Sequence, residues 1–243
     1  MPDGRQRIAV ALDASERGRI LELARLVAPE SGVLKIGLEA FCAHGPSLVA
    51  EVAAIAPVFL DLKLHDIPNT VGGAAAAAAR TGASILNVHA GGGREMMRVA
   101  GERAREAASA AGRTAPKVIA VTVLTSLDAA ALAEVGFEGS PGTVALRLAV
   151  LAKESGLDGV VCSPEEIAAI RAACGPEFLL VVPGIRPAGS AAADQKRIAT
   201  PGSAATAGAD LLVIGRPITG AADPAAAARA IAREIAIGLA GRS

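Results

Sequence analysis

Eight short runs of leucine and β-branched residues constrain the fold of this chain more than any other feature. They are RIAVALD from Arg7, VLKIGL from Val33, VFLDLKL from Val58, SILNVHA from Ser84, KVIAVTVL from Lys117, LDGVVCS from Leu157, FLLVVPGI from Phe178 and DLLVIGR from Asp210. Each has the length of a strand and is almost continuously apolar, as expected of parallel strands buried on both faces. Alanine-rich segments with helical spacing separate them, including the six-alanine run Ala74–Ala79. Ser140-Pro141, Ser163-Pro164-Glu165-Glu166 and Asp223-Pro224 each set a capping residue before a proline at the first helical position. Gly156, Gly175 and Gly208 stand where helices would stop in a left-handed conformation. Eight strand–helix units in order, with no linker and no shift of composition, predict a single-domain α/β fold over residues 1–243, a TIM (β/α)8 barrel. A doubly wound sheet is the alternative, because periodicity does not show closure.

Composition narrows the function classes. The 243 residues are 52% hydrophobic and 20% charged, enough to bury a sizeable core. Twenty-four basic residues balance 24 acidic ones, so no basic field favours nucleic acid or an anionic membrane surface. With no Trp, no Tyr and four Phe, the chain also lacks stacking platforms for single strands. The opening MPDGRQRIAVALD reads as neither a signal peptide nor an anchor, and no apolar run reaches the roughly 18 residues of a membrane span. Cys42, Cys162 and Cys174 cannot pair evenly and read as small buried hydrophobes in a reducing compartment. These features predict a cytoplasmic enzyme acting on a small molecule.

Charged residues gather at the ends of the predicted strands. The first run ends in Asp13, the second carries Lys35, and the third reads Asp61-Leu-Lys63-Leu-His-Asp66. Residues two apart on a strand share a face, so Asp61 and Lys63 point together toward the barrel axis while Leu60, Leu62 and Leu64 meet the helices. Burying ion pairs for stability alone returns about what it costs, so charges at this end of a barrel are better read as a site. A row of Lys35, Asp61, Lys63 and Asp66 would keep each lysine charged. Opposite charges about 4 Å apart attract by roughly 4 kcal/mol at an effective dielectric near 20. Such a lysine is a cation and proton donor, not a Schiff-base nucleophile, and suits a reaction that develops and then protonates a carbanion.

The last two units look like a phosphate site. The exit of the seventh run, Pro183-Gly184-Ile185-Arg186-Pro187-Ala188-Gly189-Ser190, continues to Gln195, and the eighth exits through Ile214-Gly215-Arg216-Pro217-Ile218-Thr219. Barrels often hold phosphate with these two loops and a helix N-terminus, and arginine can grip it through two donors at once.

DLKLHDIPNT from Asp61 to Thr70 closely resembles the catalytic motif of the orotidine 5′-phosphate decarboxylases. ALD at Asp13, KIG at Lys35, LTS at Leu124–Ser126, PGIRPAG at Pro183, DQKR at Asp194 and IGRPIT at Ile214 resemble that family in the same order. The resemblance implies a homodimeric barrel that converts orotidine 5′-monophosphate to UMP and CO2, the last step of de novo pyrimidine synthesis, without metal or organic cofactor. It implies Lys63 as the proton donor to C6, with Asp61 beside the leaving carboxylate. Lys35 and Asp13 would bind the ribose. Asp66 and Thr70 would reach the partner subunit's site, and Thr125 and Ser126 would lie near the nucleotide. Pro183 would line the base pocket, while Arg186, Arg216, Gln195 and Gly215 would surround the phosphate.

Metal-dependent relatives in the same barrel group, such as 3-keto-gulonate 6-phosphate decarboxylase and hexulose-6-phosphate synthase, resemble each other in placing an acidic metal ligand where Lys35 stands here. A cation there would repel Mg²⁺. A catalytically silent phosphate-binding barrel is a further alternative, opposed by the full set of charged positions. His44, His65 and His89 lack metal-ligand spacing and predict local hydrogen bonding. Gly91-Gly92-Gly93 predicts a tight turn, and Glu102, Arg103, Arg105 and Glu106 a solvated helix face.

Overall fold

The computed structural model describes residues 3–187 and 199–241, and in it all eight apolar runs become parallel strands. They are β1 (Ile8–Ala11), β2 (Val33–Gly37), β3 (Val58–Leu64), β4 (Ile85–His89), β5 (Lys117–Val121), β6 (Gly159–Val161), β7 (Leu179–Val182) and β8 (Leu211–Ile214). Each pairs with its neighbour in sequence, and Ile8 of β1 lies opposite Leu212 of β8. That last pairing closes the barrel and removes the doubly wound alternative. Around it run α1 (Arg17–Val27), α2 (Leu38–Ala53), α3 (Pro68–Arg80), α4 (Gly93–Ala110), α5 (Ala129–Glu134), α6 (Pro141–Glu154), α7 (Ile167–Cys174), α8 (Pro201–Ala207), α9 (Arg216–Thr219) and α10 (Pro224–Ala240). No helix of the described residues is long and apolar enough to cross a membrane.

The start signals work as their chemistry requires. The Ser140 hydroxyl accepts the Thr143 N–H at 3.2 Å, and the Asp223 carboxylate accepts the Ala226 N–H at 2.9 Å. Ser163 and Glu166 form a reciprocal capping box, although Pro164–Glu166 is a tight 3₁₀ turn and α7 begins after it. Gly208 closes α8 at φ 114°, which a side chain would resist. The triple glycine makes the expected turn into α4, whose outer face carries the ion pairs Arg98–Glu95, Arg98–Glu102 and Arg103–Glu106.

Two apolar clusters divide the core. One lies inside the barrel, where Ala9, Phe59, Ile85, Ile119, Val181 and Leu211 fill the axis. The larger one lies between strands and helices and is built from the alternate residues, such as Ile8, Leu34, Leu60 and Leu86. Odd-numbered positions therefore face inward on these strands, and this parity decides which residues can reach a site on the axis. The cysteine reading needs one correction. Cys162 and Cys174 are buried, but Cys42 is exposed, because it sits two residues past the buried Ala40 and so on the far side of α2.

The N-terminal end of the barrel is tied by one arginine. Arg171 donates to the backbone carbonyls of Gly175, Pro176, Phe178 and Gly208, and to the Asp210 carboxylate at 2.5 Å. Asp210 also accepts from Leu180 N–H at 2.9 Å and from Arg7 at 3.2 Å. Asp210→Ala leaves two guanidinium groups and an amide without this acceptor, and is expected to cost about 2 kcal/mol in urea denaturation. A loss within the roughly 0.5 kcal/mol of an ordinary surface substitution would show that the cluster does not clamp the barrel.

Candidate active site

A cavity of about 350 Å³ opens among the C-terminal ends of the strands, within the size range of small-molecule sites. Its apolar floor includes Ala11, Phe59, Val121, Val161 and Val213, all at inward parity. Above that floor stand Asp13, Lys35, Asp61 and Lys63 from β1 to β3, and Pro183, Gly184, Arg186, Gly215, Arg216 and Thr219 from the exits of β7 and β8.

The four charged residues form an alternating chain. Lys35 Nζ lies 3.1 Å from Asp13 Oδ1 and 3.6 Å from Asp61 Oδ2, and Lys63 Nζ lies 2.6 Å from Asp61 Oδ1. Strand register assembles it, because Lys35 pairs with Ala11 on one side and Phe59 on the other, while Asp61 pairs with Gly37. Gly37 leaves room there for the ion pair. A Cβ at that position would sit 3.0 Å from Lys35 Nζ and 3.4 Å from Asp13 Oδ1, crowding the ion pair. Burial would push the Asp61 carboxyl up, but the ammoniums of Lys35 and Lys63 and the hydrogen bonds from Lys63 and Asn87 together hold it below the usual carboxylate range.

Lys63 reaches this position by an irregular route. On β4, Leu86 and Val88 are two residues apart, whereas their partners Leu60 and Leu64 on β3 are four apart. The two extra residues form a bulge in which Lys63 adopts φ 51°, a left-handed conformation found at no other non-glycine among the described residues. An even insertion preserves inward parity, so Asp61 and Lys63 still face each other as the simple alternation predicts. Asn87, 1% exposed, bridges the bulge by accepting the Lys63 N–H at 2.8 Å and donating to Asp61 Oδ1 at 2.7 Å.

Nine of the sequence-predicted residues line the cavity: Asp13, Lys35, Asp61, Lys63, Thr125, Pro183, Arg186, Gly215 and Arg216. Asp66, Thr70 and Ser126 are exposed and do not line it, and Gln195 lies outside the described residues. Within one chain the charge row runs Asp13–Lys35–Asp61–Lys63, and the Asp66 carboxylate accepts the Ile67 N–H at 2.6 Å. The β7 exit is pinned by the Arg186 N–H donating to Ala199 O at 2.9 Å, which holds one arginine beside the cavity. His44 makes the expected local contact, 2.8 Å from Ser15 O. The His65 and His89 rings lie 5.4 Å apart, tilted by 33°, and burial, with the nearby His65 and Lys63, pushes His89 down toward the neutral form. Sequence reasoning overlooked Asn87 and the reason for Gly37. The signal for Asn87 was available, since a lone amide in an apolar strand must find partners.

Comparison with known proteins agrees with this geometry. Residues 6–231 match the family described as Orotidine 5'-phosphate decarboxylase / HUMPS family. The orotidine 5'-phosphate decarboxylase of Anaeromyxobacter dehalogenans is 57% identical over 93% of this chain and 97% of its own. That of Moorella thermoacetica is 55% identical over 95% of this chain and 92% of its own. The crystal structure of the enzyme from Lactobacillus acidophilus superposes with a TM-score of 0.83 at 39% identity, covering 94% and 98% of the two chains.

The lowered Asp61 carboxyl makes a pH-dependent stability test possible. Its contribution is complete above the ordinary carboxylate value near about pH 4 and is lost as pH falls through the lower folded value. The stability gap between the wild type and Asp61→Asn is therefore expected to be widest above about pH 4 and to close below it. Urea denaturation across that range measures the gap, and a gap indifferent to pH would show that the ion pairs do not stabilise the carboxylate.

Proposed function

Because the chain belongs to the Orotidine 5'-phosphate decarboxylase / HUMPS family, we propose that it converts orotidine 5′-monophosphate to UMP and CO2. The observation that carries this reading is the Asp13–Lys35–Asp61–Lys63 chain, facing two arginine-bearing loops across one cavity. Arg186 and Arg216 suit the phosphate, and Asp13 and Lys35 suit the ribose hydroxyls, with Thr125 and Pro183 near the base. Ser126 and Gln195 keep the places near the nucleotide and the phosphate that the family motif suggests.

The chemistry follows from the charges. The bond from C6 to the carboxylate carbon breaks, CO2 departs, and the electron pair stays on C6. The Lys63 ammonium, fixed beside Asp61, stabilises that developing charge and then transfers a proton to C6. Asp61 opposes the substrate carboxylate, a repulsion relieved as CO2 leaves, and it holds the Lys63 ammonium in place. No metal is assigned a step. The ammonium of Lys35, with 8% of its side chain exposed between two carboxylates, stands against a divalent cation where the sugar-phosphate members of the family would place one. Turnover in EDTA with orotidine 5′-monophosphate, followed by orotate absorbance, tests the reaction. Lys63→Ala is expected to lose turnover by several orders of magnitude, about the scale of removing a group that acts on the reacting atom, while still binding UMP. Near-wild-type turnover by that variant would overturn the assignment.

Asp66 and Thr70, exposed at the start of α3 on either side of the 65% exposed Ile67, are proposed to complete the site of a second copy in a homodimer. A shared site has a simple consequence for mixed subunits. Lys63→Ala and Asp66→Ala chains, each inactive alone, are expected on mixing to recover about a quarter of wild-type activity, since half the dimers are mixed and one site in each is intact. No recovery under conditions of subunit exchange would place Asp66 in its own chain's site, and full activity of Asp66→Ala alone would place it outside catalysis.

A further inference from the structure

Asn87 is buried beneath the bulge, and no part of the reaction described above uses it. We propose that Asn87 is a positioning residue: its carboxamide locks the β3 bulge so that Asp61 and Lys63 are set in their reactive geometry before substrate arrives. The inference rests on the decarboxylase reading and assigns a residue that the family motif quoted above does not contain.

Both ends of the amide are committed. Its oxygen accepts the Lys63 N–H at 2.8 Å, and its nitrogen donates to Asp61 Oδ1 at 2.7 Å. The chemistry permits only this orientation, because the flipped amide would oppose two donors at one end and two acceptors at the other. The ladder between β3 and β4 is interrupted across the bulge, so Asn87 supplies the partner that strand pairing does not give the Lys63 N–H. Lys63 at φ 51° has a strained backbone that persists only where its surroundings over-determine it. Without the amide, the backbone would be released toward the extended region, moving the ammonium, and Asp61 Oδ1 would keep only Lys63 as a hydrogen-bond donor. The other groups facing Asp61 are Lys35 from β2 and Lys63 from its own strand, with His89 further along β4 and Asp13 behind Lys35.

Two variants separate positioning from mere packing. Asn87→Leu removes both contacts and is expected to lower kcat about 10²-fold, the scale of a misplacement near 1 Å, with UMP affinity within about threefold of wild type. Asn87→Asp is nearly isosteric and retains the acceptor for the Lys63 N–H, but it sets a second carboxylate against Asp61. That pair must share one proton, so the kcat of Asn87→Asp is expected to rise as pH falls and the proton is retained, a limb the wild type lacks. A purely structural role would lower the folded fraction of Asn87→Leu and leave kcat per folded enzyme unchanged. The inference is overturned if Asn87→Leu keeps kcat within about threefold, if its loss appears in UMP affinity instead, or if the Asn87→Asp profile parallels the wild type. A wild-type chain that fails to decarboxylate the nucleotide overturns the reaction itself, an outcome distinct from wild-type turnover with indifferent Asn87 variants.

Discussion

A single carboxylate, Asp61, organises the charged side of this barrel. It lies 2.6 Å from the Lys63 ammonium and 3.6 Å from that of Lys35, and it accepts a third contact from Asn87. Two ammoniums this close to the barrel axis would repel each other unless a buried anion stood between them. Asp61 in turn would not ionise so deeply without them. Each charge is thus stable only in the company of the others. The group needed as an acid, Lys63, is fixed in place by its contact with Asp61.

The barrel supplies what such a row requires, a rigid lattice of inward positions. Phe59 and Ala11 fill the layer beneath the row, and the parallel register places Lys35 between them. Regular strands alone would not deliver Lys63 as observed. The bulge lengthens the β3 rim by two residues without changing parity, so the strand gains reach and keeps its inward face. The cost is a strained residue at the point of greatest chemical demand, held by a buried amide on the adjacent strand.

Much of this was legible in the sequence because burial on two faces leaves a plain mark. All eight apolar runs became strands, and the proline-led caps of α6 and α10 were read directly from Ser140 and Asp223. The inward pairing of Asp61 and Lys63 was also legible, and it survived because the irregularity between them is even-numbered. What the sequence did not disclose depends on contacts between strands. The bulge is a mismatch of register against β4, visible only once Leu64 is seen opposite Val88. Asp13 joins the charge chain through the register of β1 on β2, which no local pattern encodes. The exposed Cys42 shows the converse limit, since a small apolar residue near a helix start does not reveal which face it takes.

The two sides of the cavity divide the work in a way that the barrel's circular order makes possible. The acid and its supporting charges come from β1 to β3, while the arginine loops follow β7 and β8, and closure of β8 on β1 makes these distant segments neighbours. Gly215 sits at that junction, where a Cβ would lie 3.5 Å from Ala11 Cβ and 3.7 Å from Asp13 Oδ2. A phosphate gripped by Arg186 and Arg216 takes no part in breaking a carbon–carbon bond, yet its binding energy can fix a sugar across Asp13 and Lys35 and thereby present the base to Lys63. An open sheet with the same strands would leave β1 and β8 at opposite edges and separate the grip from the acid. Closure of the barrel is therefore a condition of the proposed chemistry as much as of the fold.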